Sequence, residues 1–191
     1  ERGYATGNVV TVKAYDGNAA EITLPAKATI DTVEYPVTSI GDNVFKENNR
    51  ITSVTIPEGY TSIGFDAFKN AAKLQTVNIP GSVTSISGSA FAGCAALTNV
   101  TFAEDTADSL SFGNDVFLNC ASLTSLELPA RLRDISNNFA RGCSQLNSLS
   151  IKEGAQEFFV EDNVLYRNMA GDTAELAVYP FGKSETEYTV P

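Results

Sequence analysis

The chain predicts a β-rich solenoid, a rod of stacked rungs built on short parallel strands, and three observations carry that reading. One set of apolar residues recurs at a period of 23 through the middle of the chain. Within each period the last two apolar residues stand two apart, so they share one face of a strand while their neighbours face the other way. Proline follows that strand in three periods, at Pro57, Pro80 and Pro129, and a residue without an N–H ends strand pairing.

The units share one register. Residues 37–59 (VTSIGDNVFKENNRITSVTIPEG), 60–82 (YTSIGFDAFKNAAKLQTVNIPGS) and 83–105 (VTSISGSAFAGCAALTNVTFAED) match without a gap, and two more units follow with drift. Anchored on Ile40, Ile63, Ile86, Phe112 and Ile135, the steps are 23, 23, 26 and 23, the long one absorbing an insertion near Asp105 to Asp108. From each anchor an apolar residue lies at +11 (Ile51, Leu74, Leu97, Leu123, Leu146), at +14 (Val54, Val77, Val100, Leu126, Leu149) and at +16 (Ile56, Ile79, Phe102, Leu128, Ile151). This is the L-x-x-L-x-L strand pattern of a leucine-rich repeat. Phenylalanine at +5 (Phe45, Phe68, Phe91, Phe117) reads as a corner plug on a short helical turn, with Phe139 one place early in the fifth unit. The runs VTSI and YTSI read as a short second strand on the opposite side of each coil. The predicted class is thus an α/β repeat, a right-handed solenoid of short parallel strands with one helical turn per 23-residue rung. No rung buries its apolar face alone, so stacking is what stabilises it.

The flanks divide the chain into an N-terminal capping segment (1–36), five repeats (37–156) and an irregular terminal repeat (157–191). Residues 9–24 read as two strand-like runs around Asp16-Gly17-Asn18, a hairpin signal placed to cover the first rung. In the terminal repeat, FFVEDNVLYR and LAVYP are separated by a polar Asn168 to Glu175 loop. Tyr188-Thr189-Val190-Pro191 resembles the strand-then-proline close of another unit, so the native chain is expected to continue. An exposed last rung would offer an edge on which a second copy could pair.

Composition narrows the chemistry. The 13 basic residues against 23 acidic ones give a net charge of −10, which repels nucleic-acid backbones and anionic lipid surfaces. No run approaches the roughly 18–20 apolar residues of a membrane-spanning helix. The chain has no His, which removes the usual general base, the Ser-His and Cys-His pairs and the commonest zinc ligand. Phosphate-loop, dinucleotide and Gly-x-Ser-x-Gly patterns are absent too, so no enzyme, cofactor or metal site is expected. Cys94, Cys120 and Cys143 share one column, at +8, with Asn48 and Ala71; a position that takes Cys, Ala or Asn asks for small size. A Cys94–Cys120 bridge would need Cα atoms within about 7 Å. Glu161-Asp162-Asn163 supplies oxygens but lacks calcium-loop spacing.

The phrases VTSIGDNVF, IPEGYTSIG, AFAGCAALTNVTF and VFLNCASLTSLELP resemble the BspA-type leucine-rich repeat, and the tail FFVEDNVLYR is similar to a degenerate unit of those proteins. The resemblance spans nearly the whole chain. It implies a cell-surface or secreted bacterial protein, some relatives being adhesins for matrix or plasma proteins. The candidate ligand face is the polar side of the strand: Ser53, Thr76, Asn99, Ser125 and Ser148 in one ladder, Thr55, Asn78, Thr101, Glu127 and Ser150 in the other. Its expected partner is an extracellular protein or glycan, with no nucleic acid and no direct membrane insertion. The alternative is a structural spacer that displays another domain, because Ser, Thr and Asn are poor hot-spot residues.

Overall fold

A computed structural model describes residues 3–6, 9–104, 106–136, 138–169 and 173–178 of the chain. It is a parallel-strand β-solenoid. The chain enters through β1 (Gly3–Thr6) and β2 (Val9–Val12), an antiparallel pair, followed by β3 (Glu21–Thr23) and an antiparallel hairpin of β4 (Lys27–Ile30) and β5 (Val33–Ile40). It then winds through β6 (Ser53–Thr55), β7 (Ser62–Ile63), β8 (Thr76–Ile79), β9 (Ser85–Ile86), β10 (Asn99–Phe102), β11 (Leu110–Phe112), β12 (Ser125–Leu128), β13 (Leu132–Asp134) and β14 (Ser148–Ile151). A meander of β15 (Phe158–Glu161), β16 (Val164–Met169) and β17 (Thr173–Val178) follows.

Two stacked columns of strands result. The +14/+16 strands run β3-β6-β8-β10 and, separately, β12-β14; the second strands run β2-β5-β7-β9-β11-β13. Both expected strands per rung are therefore present and parallel to their neighbours. The alternation follows directly from side-chain chemistry: in β8, β10 and β12 exposed and buried residues alternate, with Val77 and Ile79, Val100 and Phe102, and Leu126 and Leu128 inside.

The third corner departs from expectation. Among the described residues there is no helix, and the corner around the +5 phenylalanine is a run of turns. Left-handed residues bracket each phenylalanine, Asp66 (φ 52°) and Asn70 (φ 58°) around Phe68, Ser89 (φ 57°) and Gly93 (φ 72°) around Phe91. Such residues cannot continue a right-handed helix. Instead the alternate N–H groups of Asp66, Phe68 and Asn70 donate to the carbonyls of Gly88, Ala90 and Ala92 of the next rung at 3.2, 2.7 and 2.7 Å. Ser89, Phe91 and Gly93 repeat this on Asn114, Val116 and Leu118 at 2.8, 2.9 and 2.7 Å. The turn is thus a third hydrogen-bonded column. Inside it the rings of Phe45, Phe68, Phe91 and Phe117 stack with centroids 4.8, 5.1 and 5.5 Å apart. Phe139 is buried but leaves the stack and lies 6.1 Å from Phe112, with Ala140 taking the +5 position.

The N-terminal flank corrects the expected layout. Residues 9–24 do not form a hairpin about Asp16-Gly17-Asn18: β2 pairs with β5 and β3 with β6, both parallel, so this stretch is itself a rung. The hairpin is β4–β5, turned at Asp31 and Thr32, both with positive φ, the backbone a tight two-residue hairpin turn needs. The terminal repeat, expected as irregular, takes the form of the antiparallel meander. Asp162 and Asn163 have φ of 50° and 64° and form its first tight turn, and β16 and β17 run into the expected Asn168 to Glu175 loop, with Asn168 opposite Ala174. The meander lies on β14, and the Asn163 carboxamide oxygen accepts the Leu149 N–H at 3.1 Å. The last parallel strand is therefore covered rather than exposed. Tyr188 to Pro191, along with Asp172, Glu185 and Glu187, lie outside the described residues.

Candidate ligand face

The two polar ladders form as expected within each half of the strand column. Ser53 pairs with Thr76 and Thr55 with Asn78; Thr76 pairs with Asn99 and Asn78 with Thr101; Ser125 pairs with Ser148 and Glu127 with Ser150. All are exposed except the half-buried Ser53. The Thr101 hydroxyl meets the Asn78 carboxamide oxygen at 2.8 Å. The face extends one rung further than the residue pattern indicated, because Glu21 and Thr23 pair with Ser53 and Thr55. The signal for them was the alternation in EIT ahead of Pro25, the same strand-then-proline close as in later rungs.

Between Asn99–Thr101 and Ser125–Glu127 the ladders are interrupted. No ladder joins β10 to β12, although the second-strand column and the turn column both cross that junction, with Gly113 N–H on the Ile86 carbonyl at 2.8 Å and Phe91 N–H on Val116 at 2.9 Å. The cause is the insertion in the long step. Its residues fold back on the rung before, the Thr106 and Ala107 N–H groups onto the Gly81 carbonyl at 3.4 and 3.1 Å. A Cβ on Gly81 would lie 1.9 Å from the Glu104 carbonyl oxygen, so this close approach requires glycine. On the same side the buried Arg131 guanidinium donates to the Pro80 and Val83 carbonyls, both at 3.3 Å. The sequence offered no sign that this arginine would be buried.

The interruption leaves a cleft of about 270 Å³ lined by Asn99, Thr101, Phe102, Ser125, Glu127 and Lys152, with Val100 at its base. Lys152 reaches back over the junction, its Nζ donating to the Phe102 carbonyl at 2.9 Å. In a parallel ladder alternate residues point both backbone groups to one neighbour, so Phe102 is one of the residues of β10 that would have met β12. Lysine there replaces a missing ladder bond. The face is therefore two polar patches separated by a cleft bearing one ammonium and one carboxylate.

The three cysteines stand in their common column, buried and free. Each S–H donates to the phenylalanine carbonyl of the preceding rung: Cys94 to Phe68 at 3.2 Å, Cys120 to Phe91 at 3.2 Å, Cys143 to Phe117 at 3.0 Å. Burial pushes the Cys94 thiol up to about 12, and the Cys143 thiol beside it, then burial, push Cys120 up as well. Protonated and inaccessible, Cys94 and Cys120 are packing groups, whereas the hydrogen bond with Cys120 lowers the Cys143 thiol. Among the described residues no three His, Cys, Asp or Glu side chains gather as a metal site.

The architecture recurs in solved bacterial proteins. The leucine-rich-repeat protein TpLRR of T. pallidum is 27% identical with a TM-score of 0.70, over 78% of this chain and 67% of that one. A leucine-rich cell surface protein of Faecalibacterium prausnitzii is 28% identical with a TM-score of 0.52, over 94% of this chain and 62% of that one. The pneumococcal vaccine antigen PcpA shares the fold at 22% identity and a TM-score of 0.69, over 98% of this chain and 56% of its own. No curated protein matches the chain. The model of the BspA type leucine-rich repeat region matches six copies over residues 38–168, and with the rungs, the stacked phenylalanines and the parallel columns in agreement, this chain belongs to that repeat family.

Proposed function

We propose that the chain is a recognition module of a bacterial cell-surface or secreted protein, adhesin-like, which binds host or neighbouring-cell macromolecules through the strand face. The observation that carries this is the register of that face: polar side chains, mostly exposed Ser, Thr and Asn, repeat at the spacing of parallel strands, about 4.8 Å, over β3 to β10 and again over β12 and β14. A surface so regular suits contacts that gain by repetition rather than one deep pocket. The family and the surface protein it resembles support the location. The module acts by binding, and no step of catalysis is assigned to it.

The test is binding of the chain and of an Asn99→Lys, Thr101→Lys, Glu127→Lys variant to immobilised matrix proteins and glycans at physiological salt. The expected outcome is a ligand that the wild-type chain retains and the folded variant loses. No retention by either overturns the reading in favour of a spacer, the function that the scarcity of aromatic and arginine side chains on this face would suit.

A further inference from the structure

Among the described residues, the largest aromatic surface offered to solvent lies on the opposite column. Phe65, two places after the Ile63 anchor, is 60% exposed, and it is the exposed one among the described phenylalanines. The other described rungs fill its position with Asp42, Gly88 and Asn114, so stacking does not require an aromatic there. A single exposed phenylalanine would be unremarkable on its own. This one is held in place and walls a cavity of about 570 Å³, within the size range of small-ligand sites.

Phe65 is fixed at both ends of its backbone. Its N–H donates to the Asp42 carboxylate at 2.8 Å, and its carbonyl accepts the Asn43 N–H at 2.9 Å. The ring lies along the next rung, where a Cβ on Gly88 would be 3.2 Å from its Cε1. Gly88 and Gly113 bring two rungs into close approach, a Cβ on Gly113 falling 2.5 Å from the Gly88 nitrogen. The floor beside the ring is therefore bare backbone. Around it stand the hydroxyls of Ser87, Ser111 and Ser136, the Asn114 carboxamide and the Asp134 carboxylate.

The charges select the ligand class. No lysine or arginine lines the cavity, and its one carboxylate is engaged by the Arg167 guanidinium at 3.1 Å. Sulfate, phosphate or sialate groups would meet only the Arg167 guanidinium, already paired with Asp134, in a chain of net charge −10. What remains is a rigid aromatic face beside hydroxyl, amide and carboxylate groups, which donate and accept hydrogen bonds over short reach. That combination matches a pyranose ring, whose C–H face packs on an aromatic and whose hydroxyls both donate and accept. The cavity spans rungs two to five, about 14 Å at the parallel-strand spacing, the reach of a short chain of sugars rather than one.

We propose that this groove binds a neutral oligosaccharide, with Phe65 as the stacking platform and Ser87, Ser111, Asn114 and Asp134 as its hydrogen-bonding partners. The site is separate from the strand face and does not depend on the reading given to that face.

The test probes the chain on an array of neutral gluco-, manno-, galacto- and N-acetylhexosamine oligosaccharides of two to six units, alongside sialylated and sulfated counterparts. Hits are titrated with Phe65→Ala, Phe65→Trp and the triple lysine variant of the strand face. The expected result is retention of a neutral oligosaccharide, weakened at least about tenfold in Phe65→Ala, preserved in Phe65→Trp and preserved in the triple variant. An exposed side chain shifts stability by about 0.5 kcal/mol or less when truncated, so Phe65→Ala is expected to stay folded, and denaturation checks it. Retention of no neutral oligosaccharide, preference for the anionic ones, equal affinity of Phe65→Ala, or loss in that variant of a protein ligand alone would each overturn the proposal. Loss in the triple variant with Phe65→Ala unaffected would place the sugar on the strand face and equally overturn it.

Discussion

The junction between the second and third rungs and the junction between the third and fourth use the same residue pattern and reach different structures. At the former all three columns are bonded: Ala103 N–H to Ile79 and Thr98 N–H to Gln75 on the strand face, Ser87 N–H to Ile63 on the second strand, Phe68 N–H to Ala90 in the turn. At the latter the second strand and the turn remain bonded while the strand face opens. The ring stack continues across both, with centroids 5.1 Å apart between Phe68 and Phe91 and 5.5 Å between Phe91 and Phe117. The three residues added in the 26-residue step thus act on one corner of the coil and leave the others in register. Order in this solenoid is column by column, and a column can fail alone.

The largest effect that would sharpen this contrast is in the stack. Phe68, fully buried between two rings, is expected to cost about 3–5 kcal/mol on truncation to Ala. Phe117→Ala should cost less, because its neighbours Phe91 and Phe112 lie at 5.5 and 6.0 Å. Equal losses in urea denaturation would mean that the junctions are equally tight.

A smaller effect should appear at the open junction. Lys152→Met removes the donor to the Phe102 carbonyl and is expected to cost about 1 kcal/mol. Even before mutation, the Ser125 and Glu127 amides, which have no ladder partner in β10, should exchange with solvent at least about tenfold faster than those of Asn99 and Thr101. Similar protection by NMR-detected exchange would mean that the junction is closed in solution.

The smallest effect concerns Cys94. Because Ala71 already fills the same column, Cys94→Ala should cost about 1 kcal/mol or less, chiefly the S–H bond to Phe68. Its thiol is raised from 9.0 to about 12 in the folded chain, so the folded state holds the proton more tightly. The stabilisation is present below pH 9 and is lost as pH rises toward 12, since the unfolded chain ionises first. Wild type should therefore lose stability over that window more steeply than Cys94→Ala, and parallel curves would contradict the burial.

The rungs were legible because burial imposes a two-residue alternation and a fixed period that nothing else in the chain imitates; Val77-x-Ile79 or Leu126-x-Leu128 declare their face without help. The corner differs from the expected helical turn because a phenylalanine in a short apolar run suits either conformation. The discriminating signal was present in Asn43, Asp66, Ser89 and Asp115 at +3 and in Asn70, Gly93, Asn119 and Gly142 at +7, residue types that tolerate a left-handed backbone. Asp16-Gly17-Asn18 suggested a hairpin because turn chemistry is local, whereas β2 and β3 found partners 27 and 32 residues on. The candidate face was legible as columns. Its interruption was not, since an insertion does not say which corner will absorb it, and neither was the Phe65 groove, which depends on a glycine in the rung next to it.

The open junction also has a mechanical meaning. A rod whose rungs are tied at three corners resists bending in every direction, but one tied at two corners has a soft axis. Flexing that spreads the strand face meets no ladder between β10 and β12, only the side-chain ties of Lys152 and Arg131, whereas flexing the opposite way must compress the bonded second strand and the turn column. Under load in shear flow or on a moving surface, this rod would yield as a one-way hinge, with the cleft widening before any other rung parts.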